Sequence, residues 1–311
     1  MGKIDLPTRI PTSFRFIASI STFDYYKKDK LFSKNDKPSF NSKDERFVKL
    51  MVALPFLANK RAEFSLGYGQ LEDNYFQSSV IDFDKDRSDR STYKLLGGSI
   101  GFYGSTLNTR QYATKGYLEK LIAQVFTGRE RFEPGNPQEG YSPSPQERQS
   151  WLQISYMKEA YHTMGPKFTL GWMAEALYSS KNFSENYTAT MMQAGEFAPT
   201  PHSKLMYNEA FRANQYVAAG IKPIYVLNDM FQFRTEFYGF TPIFPIKKNA
   251  LNKAYYGKAF SRFEYMGEVS VICHLPFGAI SAYVNHYSSP RREWNVGMTI
   301  GWQLFNYRFV E

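Results

Sequence analysis

Close to the end of the chain, apolar and polar residues alternate strictly, and this pattern is compatible with few folds. Successive side chains of a β-strand point to opposite faces of the sheet, so every second residue shares a face. One face of this segment holds Trp294, Val296, Met298, Ile300, Trp302 and Leu304. The other face holds Asn295, Gly297, Thr299, Gly301 and Gln303. The pattern predicts a strand with apolar surroundings on one side and water on the other.

The same alternation recurs upstream and predicts about thirteen strands. It is clearest in 167–179 and 231–239, where charged residues fall on a consistent side. The other predicted strands are 13–26, 46–56, 61–70, 93–107, 117–129, 149–160, 187–197, 215–227, 258–272 and 277–286. These lengths reach the ~9–11 residues that cross a bilayer at a tilt, whereas strands of soluble proteins typically have about 5–6. Strand length therefore favours a membrane barrel.

Composition points the same way. Phe, Trp and Tyr make up 17% of the 311 residues, yet the mean hydropathy is −0.46, so aromatic and polar residues must be sorted at short range. A barrel with an apolar outer face, a polar bore and aromatic girdles sorts them in this way. No run approaches the ~18–20 apolar residues of a membrane-spanning helix. A soluble lipid-binding β-protein stays open as the alternative.

The connections between the predicted strands are of two kinds. Short turns built from Gly, Pro, Asn and Asp occur at 58–60, 162–166, 228–229 and 276–278. Long polar connections occur at 27–44, 72–92, 132–147 and 241–257. Because short and long connections alternate, we predict an all-β, antiparallel, up-and-down transmembrane β-barrel that forms a single domain over 1–311. The odd strand count and the lack of a signal segment in 1–11 lead us to expect the C-terminal part of a longer protein.

The formal net charge of +9 does not point to a nucleic-acid partner. The basic residues stand singly among acidic ones, and the aromatic residues are not interleaved with Lys or Arg on one face as in a base-stacking surface. Charge facing the bore and contact with anionic lipid headgroups explain the same excess. We therefore expect membrane lipids as partners and no nucleic acid.

No catalytic, cofactor or metal site is expected within the chain. The segment 97–101 (GGSIG) matches the G-x-S-x-G pattern of lipases, but it lies inside an alternating strand, whereas a nucleophile elbow needs a strand-to-helix turn. The histidines stand singly, and the charged run 82–89 alternates in sign, which favours a solvated loop over a calcium site. The single cysteine, Cys273, excludes an internal disulfide and is expected to be a small apolar strand residue.

Two segments, 197–204 (FAPTPHSK) and 211–216 (FRANQY), resemble the C-terminal barrel of patatin-like phospholipases that carry an outer-membrane surface-antigen-type barrel. That superfamily also includes barrel-assembly and two-partner-secretion translocases. The segment 108–116 (NTRQYATKG) is similar to the family's turn before a strand, with its Thr-x-Gly ending. Phe211, Arg212, Ala213 and Asn214 occupy the place of an inward-folded loop whose arginine lies in the bore; Gly is common where Ala213 stands.

The resemblance implies a closed cylinder of about sixteen strands, of which roughly three N-terminal ones would precede this chain. A signal segment, a periplasmic linker module and a hydrolase domain would precede them. The loop arginine of the family pairs with an acid on the second strand after the loop, in the motif aromatic-x-acid-x-Gly. The matching segment is 233–239 (FRTEFYG), with the spacing to Gly shifted by one, so Glu236 is the expected partner of Arg212.

Aromatic side chains are expected to anchor the barrel at the membrane interfaces or to face lipid. The main candidates are the tryptophans Trp151, Trp172, Trp294 and Trp302.

The resemblance implies an integral outer-membrane barrel domain that anchors or exports a patatin-like phospholipase and performs no catalysis itself. Its partners would be outer-membrane lipids, the barrel-assembly machinery and an N-terminal hydrolase domain or chain. Two alternatives stay open: a polypeptide-translocating or assembly barrel of the same superfamily, and a passive outer-membrane channel. Lipid or cargo specificity and the oligomeric state do not follow from the sequence.

Overall fold

The main element of the fold is one large antiparallel sheet. The computed structural model describes residues 2–6, 12–26, 40–77, 87–136, 147–276, 278–289, 294–301 and 308–310. Over these residues the sheet has 13 strands, and two ladders of two short strands each accompany it. The strands are β1 (Gly2–Leu6), β2 (Thr12–Tyr26), β3 (Phe40–Leu57), β4 (Lys60–Tyr75), β5 (Asp89–Ser105), β6 (Gly116–Glu133), β7 (Glu147–Thr163), β8 (Phe168–Ser179), β9 (Gly195–Glu196), β10 (Arg212–Ala213), β11 (Gln215–Val226), β12 (Phe231–Pro242), β13 (Ile246–Lys248), β14 (Ala254–Tyr256), β15 (Glu264–Leu275), β16 (Gly278–Tyr287) and β17 (Trp294–Gly301).

The sheet is an up-and-down meander, which confirms the predicted fold class. Its order is β1-β2-β3-β4-β5-β6-β7-β8-β11-β12-β15-β16-β17, so each strand pairs with the next strand of the sheet along the chain. The short ladders, β9 with β10 and β13 with β14, lie in the two connections that the order skips. Pairing each strand with its chain neighbours satisfies the backbone N–H and C=O groups along the sheet, as a hydrocarbon environment requires.

The alternation in the sequence corresponds to the two faces of the sheet. On β5, Leu95 is 1% exposed while the next residue, Leu96, is 49% exposed. On β17 the exposed side chains are Trp294, Val296, Met298 and Ile300, as predicted. The outer face is therefore covered with exposed apolar side chains, and the inner face holds most of the buried polar and aromatic ones.

The predicted strand 187–197 is wrong. Residues Tyr187–Gln193 form a helix, α1, and only Gly195–Glu196 of that segment is extended, as β9. Conversely, β1 lies where no strand was predicted. The expected and observed numbers of strands in the sheet agree only because one predicted strand is absent and one unpredicted strand is present. The helix packs inside the molecule, where apolar contacts on several sides obscure any helical periodicity in so short a segment.

Some strands also extend beyond their predicted ends. β3 begins at Phe40, β4 continues to Tyr75 and β5 begins at Asp89, so the connections predicted at 27–44 and 72–92 are shorter than expected. The last strand is described as far as Gly301, and Trp302 and Leu304 lie outside the described residues.

The first and last strands each have one partner in the described part of the sheet: β1 pairs with β2, and β17 with β16. No helix among the described residues is both long and apolar enough to cross a membrane.

Candidate functional site

The bore of the sheet is filled by the connection between β8 and β11, residues 180–214, which folds inward. Its helix α1 is capped at the N-terminus by Asn186, whose side chain accepts a hydrogen bond from the backbone N–H of Ala189 at 2.8 Å and so satisfies a free helix N–H. The Asn186 amide also donates to the Tyr75 hydroxyl of β4 at 2.8 Å. Ala189 and Met192 pack against Tyr25 of β2 and Tyr75. The helix is thereby fixed to the inner face of β2 and β4.

Arg212 holds the other end of this helix. Its Nη1 donates to the backbone carbonyls of Met191 and Met192 at 3.5 and 3.3 Å and to that of Ala194 at 3.4 Å. These carbonyls lie at the helix C-terminus, where they lack helical partners and where the helix dipole favours a positive charge. Its Nη2 lies 2.8 Å from Oε1 of Glu196, the residue directly opposite in the β9–β10 ladder.

The Arg212 guanidinium is 3% exposed and also lies over two aromatic rings. Its central carbon is 4.7 Å from the ring centre of Tyr207 and 5.5 Å from that of Tyr25, within the range of cation–π contacts. Burial acts to lower the pKa of Arg212, but Glu196, Tyr25 and Tyr207 outweigh it and hold the pKa above its ordinary value. The charge is therefore retained inside the bore because several partners compensate for its lost hydration.

The structure does not bring Arg212 and Glu236 together. Glu236 on β12 binds Arg234 of the same strand, with Oε1 2.9 Å from Nη2 and 3.0 Å from Nε, and accepts a 2.6 Å hydrogen bond from the Tyr238 hydroxyl. Arg212 instead pairs with Glu196. The predicted pairing is thus wrong, because each residue has a partner on its own ladder or strand that is nearer than the other one.

The neighbours of Arg212 in the predicted loop motif are all buried. Phe211 packs between Phe240 of β12 and Tyr287 of β16, with ring centres 5.6 and 5.9 Å away. Ala213 has no exposed surface, and Asn214 donates to the backbone carbonyl of Lys181 at 3.3 Å and to the Tyr256 hydroxyl at 3.0 Å. The motif therefore attaches the inward connection to the wall opposite to the one that holds the helix.

A second segment, residues 106–115 between β5 and β6, reaches across the end of the bore where the turns are short. The Tyr112 hydroxyl donates to the Ser281 hydroxyl of β16 at 2.9 Å. The backbone carbonyls of Tyr112 and Ala113 accept hydrogen bonds from Gln232 at 3.1 Å and Arg234 at 3.0 Å, both on β12. This segment, which was predicted only as a turn before a strand, thus connects opposite walls.

The end of the chain forms a third occupant. Phe309 is 1% exposed and lies between Phe47 and Phe126, with ring centres 5.6 and 5.7 Å away. Its ring covers a slot formed by glycines on the inner face of β4 and β5; a Cβ atom would lie 3.0 Å from the ring if added at Gly67 and 3.1 Å if added at Gly69. The Arg308 carbonyl accepts a hydrogen bond from Lys49 at 3.3 Å. The side-chain Nη1 of Arg308 is 3.6 Å from Oε2 of Glu196.

Trp151 is not an interface anchor, which corrects the expectation for this residue. It is 5% exposed, stacks on Phe126 at 5.0 Å between ring centres, and lies 4.8 Å from the ammonium of Lys181. Its place in the alternation puts it on the inner face of β7. Burial lowers the pKa of Lys181 to about 8, with Glu130 and Asp73 opposing that shift.

Trp172 and Trp294 follow the alternation onto the outer face of β8 and β17. Trp294 is 71% exposed, while Trp172 is partly exposed and donates to His162 at 3.3 Å. The interface role of both stays a prediction, and Trp302 lies outside the described residues.

The lipase-like segment 97–101 lies within β5, paired with β4 and β6. Ser99 is hydrogen-bonded to Ser65 across the strands, at 2.6 Å between hydroxyl oxygens. A strand interior lacks the sharp turn that exposes a nucleophile in hydrolases. The described residues also hold no group of three or more His, Cys, Asp or Glu side chains placed to bind a metal ion.

The chain is similar to several solved structures. The chain superposes on BamA from Haemophilus ducreyi lacking POTRA domains 1–3 with a TM-score of 0.56 and 10% identity, over 95% of this chain and 59% of that one. It also matches the ferric preacinetobactin receptor BauA from Acinetobacter baumannii, with a TM-score of 0.46 and 9% identity over 92% of this chain and 45% of that one. A further match is the beta domain of the Bordetella autotransporter BrkA, with a TM-score of 0.36 and 11% identity over 93% of this chain and 95% of that one.

The similarity to BamA has the highest TM-score of the three, and at 10% identity it concerns the fold. The chain spans 59% of the length of that structure. No protein-family model and no curated protein matches the sequence. Together, the meander, the apolar outer face and the fold shared with BamA define an integral outer-membrane β-barrel.

Several contacts of the site were not expected from the sequence, among them the pairing of Glu236 with Arg234. Arg234 and Glu236 stand two apart on a strand, so their shared face was available as a signal. No sequence pattern indicates that Glu196 pairs with Arg212, because the two residues lie opposite each other only once residues 197–211 have folded. Phe309 follows the end of the last alternating segment, and nothing in the pattern distinguishes it from an ordinary terminal residue.

Proposed function

We propose that this chain is the outer-membrane barrel domain that anchors a patatin-like phospholipase to the membrane or helps it reach the cell surface. The anchoring role is supported by the filled bore. Residues 180–214 and 106–115, which connect strands, and residues 308–310 near the end of the chain all pack inside it. The patatin-like partner is supported by the sequence resemblance of 197–204 and 211–216.

The three occupants support a braced structure over an open channel. Each of them contacts strands on more than one part of the wall. Residues 180–214 contact β2 and β4 through α1, and β12 and β16 through Phe211. Residues 106–115 contact β12 and β16, and Phe309 contacts β3 and β6. A diffusion channel needs a continuous watery path, whereas these contacts place buried aromatic rings across it. The braced barrel would serve as a rigid base on which a hydrolase is held at the membrane.

Conductance in planar bilayers tests the anchoring role. The purified barrel should pass little current, and a variant in which residues 183–211 are replaced by a short Gly-Ser linker should pass more, because the largest occupant is gone. Matched replacement of 249–252, which lies in the β13–β14 turn, serves as the control and should leave the current low. Steady, large currents from the unmodified protein would argue for a channel.

The phospholipase partner is tested at the level of the gene and the cell. The coding sequence directly upstream should contain a Gly-x-Ser-x-Gly elbow followed by a helix, and the encoded lipid acyl hydrolase should fractionate with the outer membrane only when the barrel is present. An array of periplasmic modules without a hydrolase would contradict the proposal.

A polypeptide-translocating or assembly barrel is the second candidate, supported by the fold similarity to BamA and by sheet ends that have one partner each in the described residues. Depletion of such a barrel should reduce the folded, heat-modifiable fraction of other outer-membrane proteins. Depletion of an anchor should leave that fraction unchanged.

A further inference from the structure

Strand register places a row of cations on the outer face. Arg46 of β3 lies opposite Gln70 of β4, and Gln70 lies opposite Lys94 of β5. Lys94 in turn lies opposite Arg129 of β6, and Arg129 opposite Arg148 of β7. The four basic side chains are exposed, and we call them the cation row. Their alignment is a consequence of register alone, since the residues are widely spaced in the sequence.

The cation row lacks acidic compensation among the described residues. No carboxylate of the described residues lies within 4.0 Å of the four charged groups of the row. By contrast, Arg90 and Arg131, nearby on the same face, pair with Glu72 at 3.3 Å and with Glu133 at 2.9 Å respectively. Three of the charges, Lys94, Arg129 and Arg148, are direct cross-strand neighbours, an arrangement that is unfavourable unless an anion lies between them. The row therefore points to an anionic partner.

The row also marks one edge of the apolar belt. Between it and the polar side chains Lys60, Glu119 and Lys158 near the short turns lie mainly apolar outward residues. These residues form four levels, each made of one residue from each of β3 to β7 that lies opposite its neighbours in the register. From the row toward the short turns, the levels are Val48, Tyr68, Leu96, Thr127 and Ser150; Leu50, Leu66, Gly98, Val125 and Leu152; Val52, Phe64, Ile100, Ala123 and Ile154; and Leu54, Ala62, Phe102, Leu121 and Tyr156. The row and the lower polar side chains are ten residues apart along a strand, as from Arg129 to Glu119 and from Arg148 to Lys158. At about 3.4 Å per residue and a tilt of about 45°, this separation is roughly 24 Å, close to the height of about 25 Å of a barrel's apolar band.

The row lies on the side of the long connections, which in outer-membrane barrels is the outer surface. On the outward faces of β8, β11, β12 and β15–β17, the described residues include no Lys or Arg. The cations are therefore concentrated on β3–β7 at the depth where the headgroups of the outer leaflet meet the hydrocarbon.

We propose that the cation row binds the phosphate groups of phosphorylated glycolipids in the outer leaflet. Phosphate matches the forked donors of Arg46, Arg129 and Arg148 and the point charge of Lys94, and it would relieve the repulsion between the three neighbouring cations. The acyl chains of the same lipid would lie along the apolar levels directly below. The site is independent of the phospholipase partner, since it needs only the barrel in its membrane.

The test uses the purified chain and diphosphorylated lipid A as the probe, and follows the temperature at which the folded gel band is lost. Lipid A should raise this temperature, and R129Q/R148Q should weaken the apparent affinity by about tenfold or more. K247Q/K248Q removes the same charge from exposed loop lysines at the same end of the barrel and should leave the affinity unchanged. R46Q/K94Q provides a second, independent disruption of the row.

Two results would overturn the proposal. One is an equal loss of affinity in R129Q/R148Q and K247Q/K248Q, which would reduce the effect to net charge. The other is equal stabilisation by dephosphorylated lipid A, which would leave the acyl chains as the only contact. For both row variants, the temperature at which the folded gel band is lost with lipid is compared with that of the same variant without lipid. This comparison separates a folding defect from a loss of binding.

Discussion

Arg212 connects several parts of the bore through one side chain. Its guanidinium satisfies the carbonyls at the end of α1, pairs with Glu196 at 2.8 Å and lies over Tyr207 and Tyr25. A buried charge of this kind stabilises only as long as all partners remain, because loss of one partner leaves the other charge unpaired in a poorly hydrated place. The helix, the β9–β10 ladder and strand β2 therefore depend on the same residue.

Arg212→Ala should destabilise the barrel by about 3–5 kcal/mol, because it leaves Glu196 buried beside uncapped helix carbonyls. The midpoint of thermal loss of the folded gel band in detergent measures the effect. Arg131→Ala, which breaks the pair with Glu133 at an Arg131 side chain that is 52% exposed, should cost under about 1 kcal/mol. Equal midpoints for the two variants would show that the Arg212 contacts contribute little.

Lys181 should make stability depend on pH. Burial lowers its pKa to about 8 from the ordinary 10.5, so between these values the unfolded chain holds a proton that the folded chain has lost. Stability attributable to this residue therefore rises as pH increases from about 8 to 10, by on the order of 1–3 kcal/mol. Lys181→Met should remove that rise in thermal midpoints measured across this window. The same pH dependence in both proteins would contradict the assignment.

The contact partners of single side chains were harder to predict from the sequence than the strands. That Arg212 lies in the bore followed from its resemblance to a loop motif, but its partner did not, because Glu196 meets it only after the intervening chain folds back into a ladder. For Trp151, residue type suggested an interface anchor, whereas its position in the alternation places it among inward residues such as Gln149 and Gln153. Facing direction decides the role of such a side chain more reliably than its chemistry.

Among the elements, the end of the chain and the glycine slot of β4 and β5 form a matched pair. Gly67 lies opposite Gly97 in the register, and with Gly69 they leave room on the inner face for the Phe309 ring. Glycine in a strand weakens it unless something packs closely against the bare backbone, and here an aromatic ring does so. The slot explains why the inner face of two central strands lacks side chains at these positions.

Phe309→Ala should destabilise the folded barrel by about 3–4 kcal/mol, since it empties the slot and leaves a cavity between Phe47 and Phe126. Thermal midpoints of the folded band measure the loss. The matched control is Phe102→Ala on the outer face of β5, where the ring is 43% exposed to its surroundings and its removal leaves no cavity. A Phe309→Ala midpoint at or above that of the control would show that the terminus does not pack into the slot in solution.

The long strands were predictable because each has surroundings of opposite polarity on its two faces. β2, β8 and β11 begin and end close to the predicted residues. Helix α1 was not predictable in the same way, because Met191 and Met192 pack against different neighbours inside the bore and leave no polar face to set a period. Alternation of apolar and polar residues therefore predicts elements whose two faces differ in polarity. It does not predict an element that is surrounded by protein on several sides.

The fold as a whole separates two functions of the same strands. Outward side chains form the apolar belt with the cation row at one edge, while inward side chains hold the three occupants of the bore. Because the two sets alternate along every strand, a shift of register by one residue would exchange them. The meander keeps the register fixed by pairing each strand with its chain neighbour over most of its length.

Outward residues of the sheet should meet lipid and inward ones should not, and fluorescence quenching by brominated lipids distinguishes the two sets. With Trp151, Trp172, Trp294 and Trp302 replaced by Phe, single tryptophans would be introduced on β12 as Phe237→Trp or Phe240→Trp, at positions 53% and 0% exposed. In bilayers with brominated acyl chains, tryptophan at 237 should be strongly quenched and tryptophan at 240 should keep its emission. Equal quenching at both positions, or quenching at 240 alone, would show that the outward residues are not the ones that face lipid.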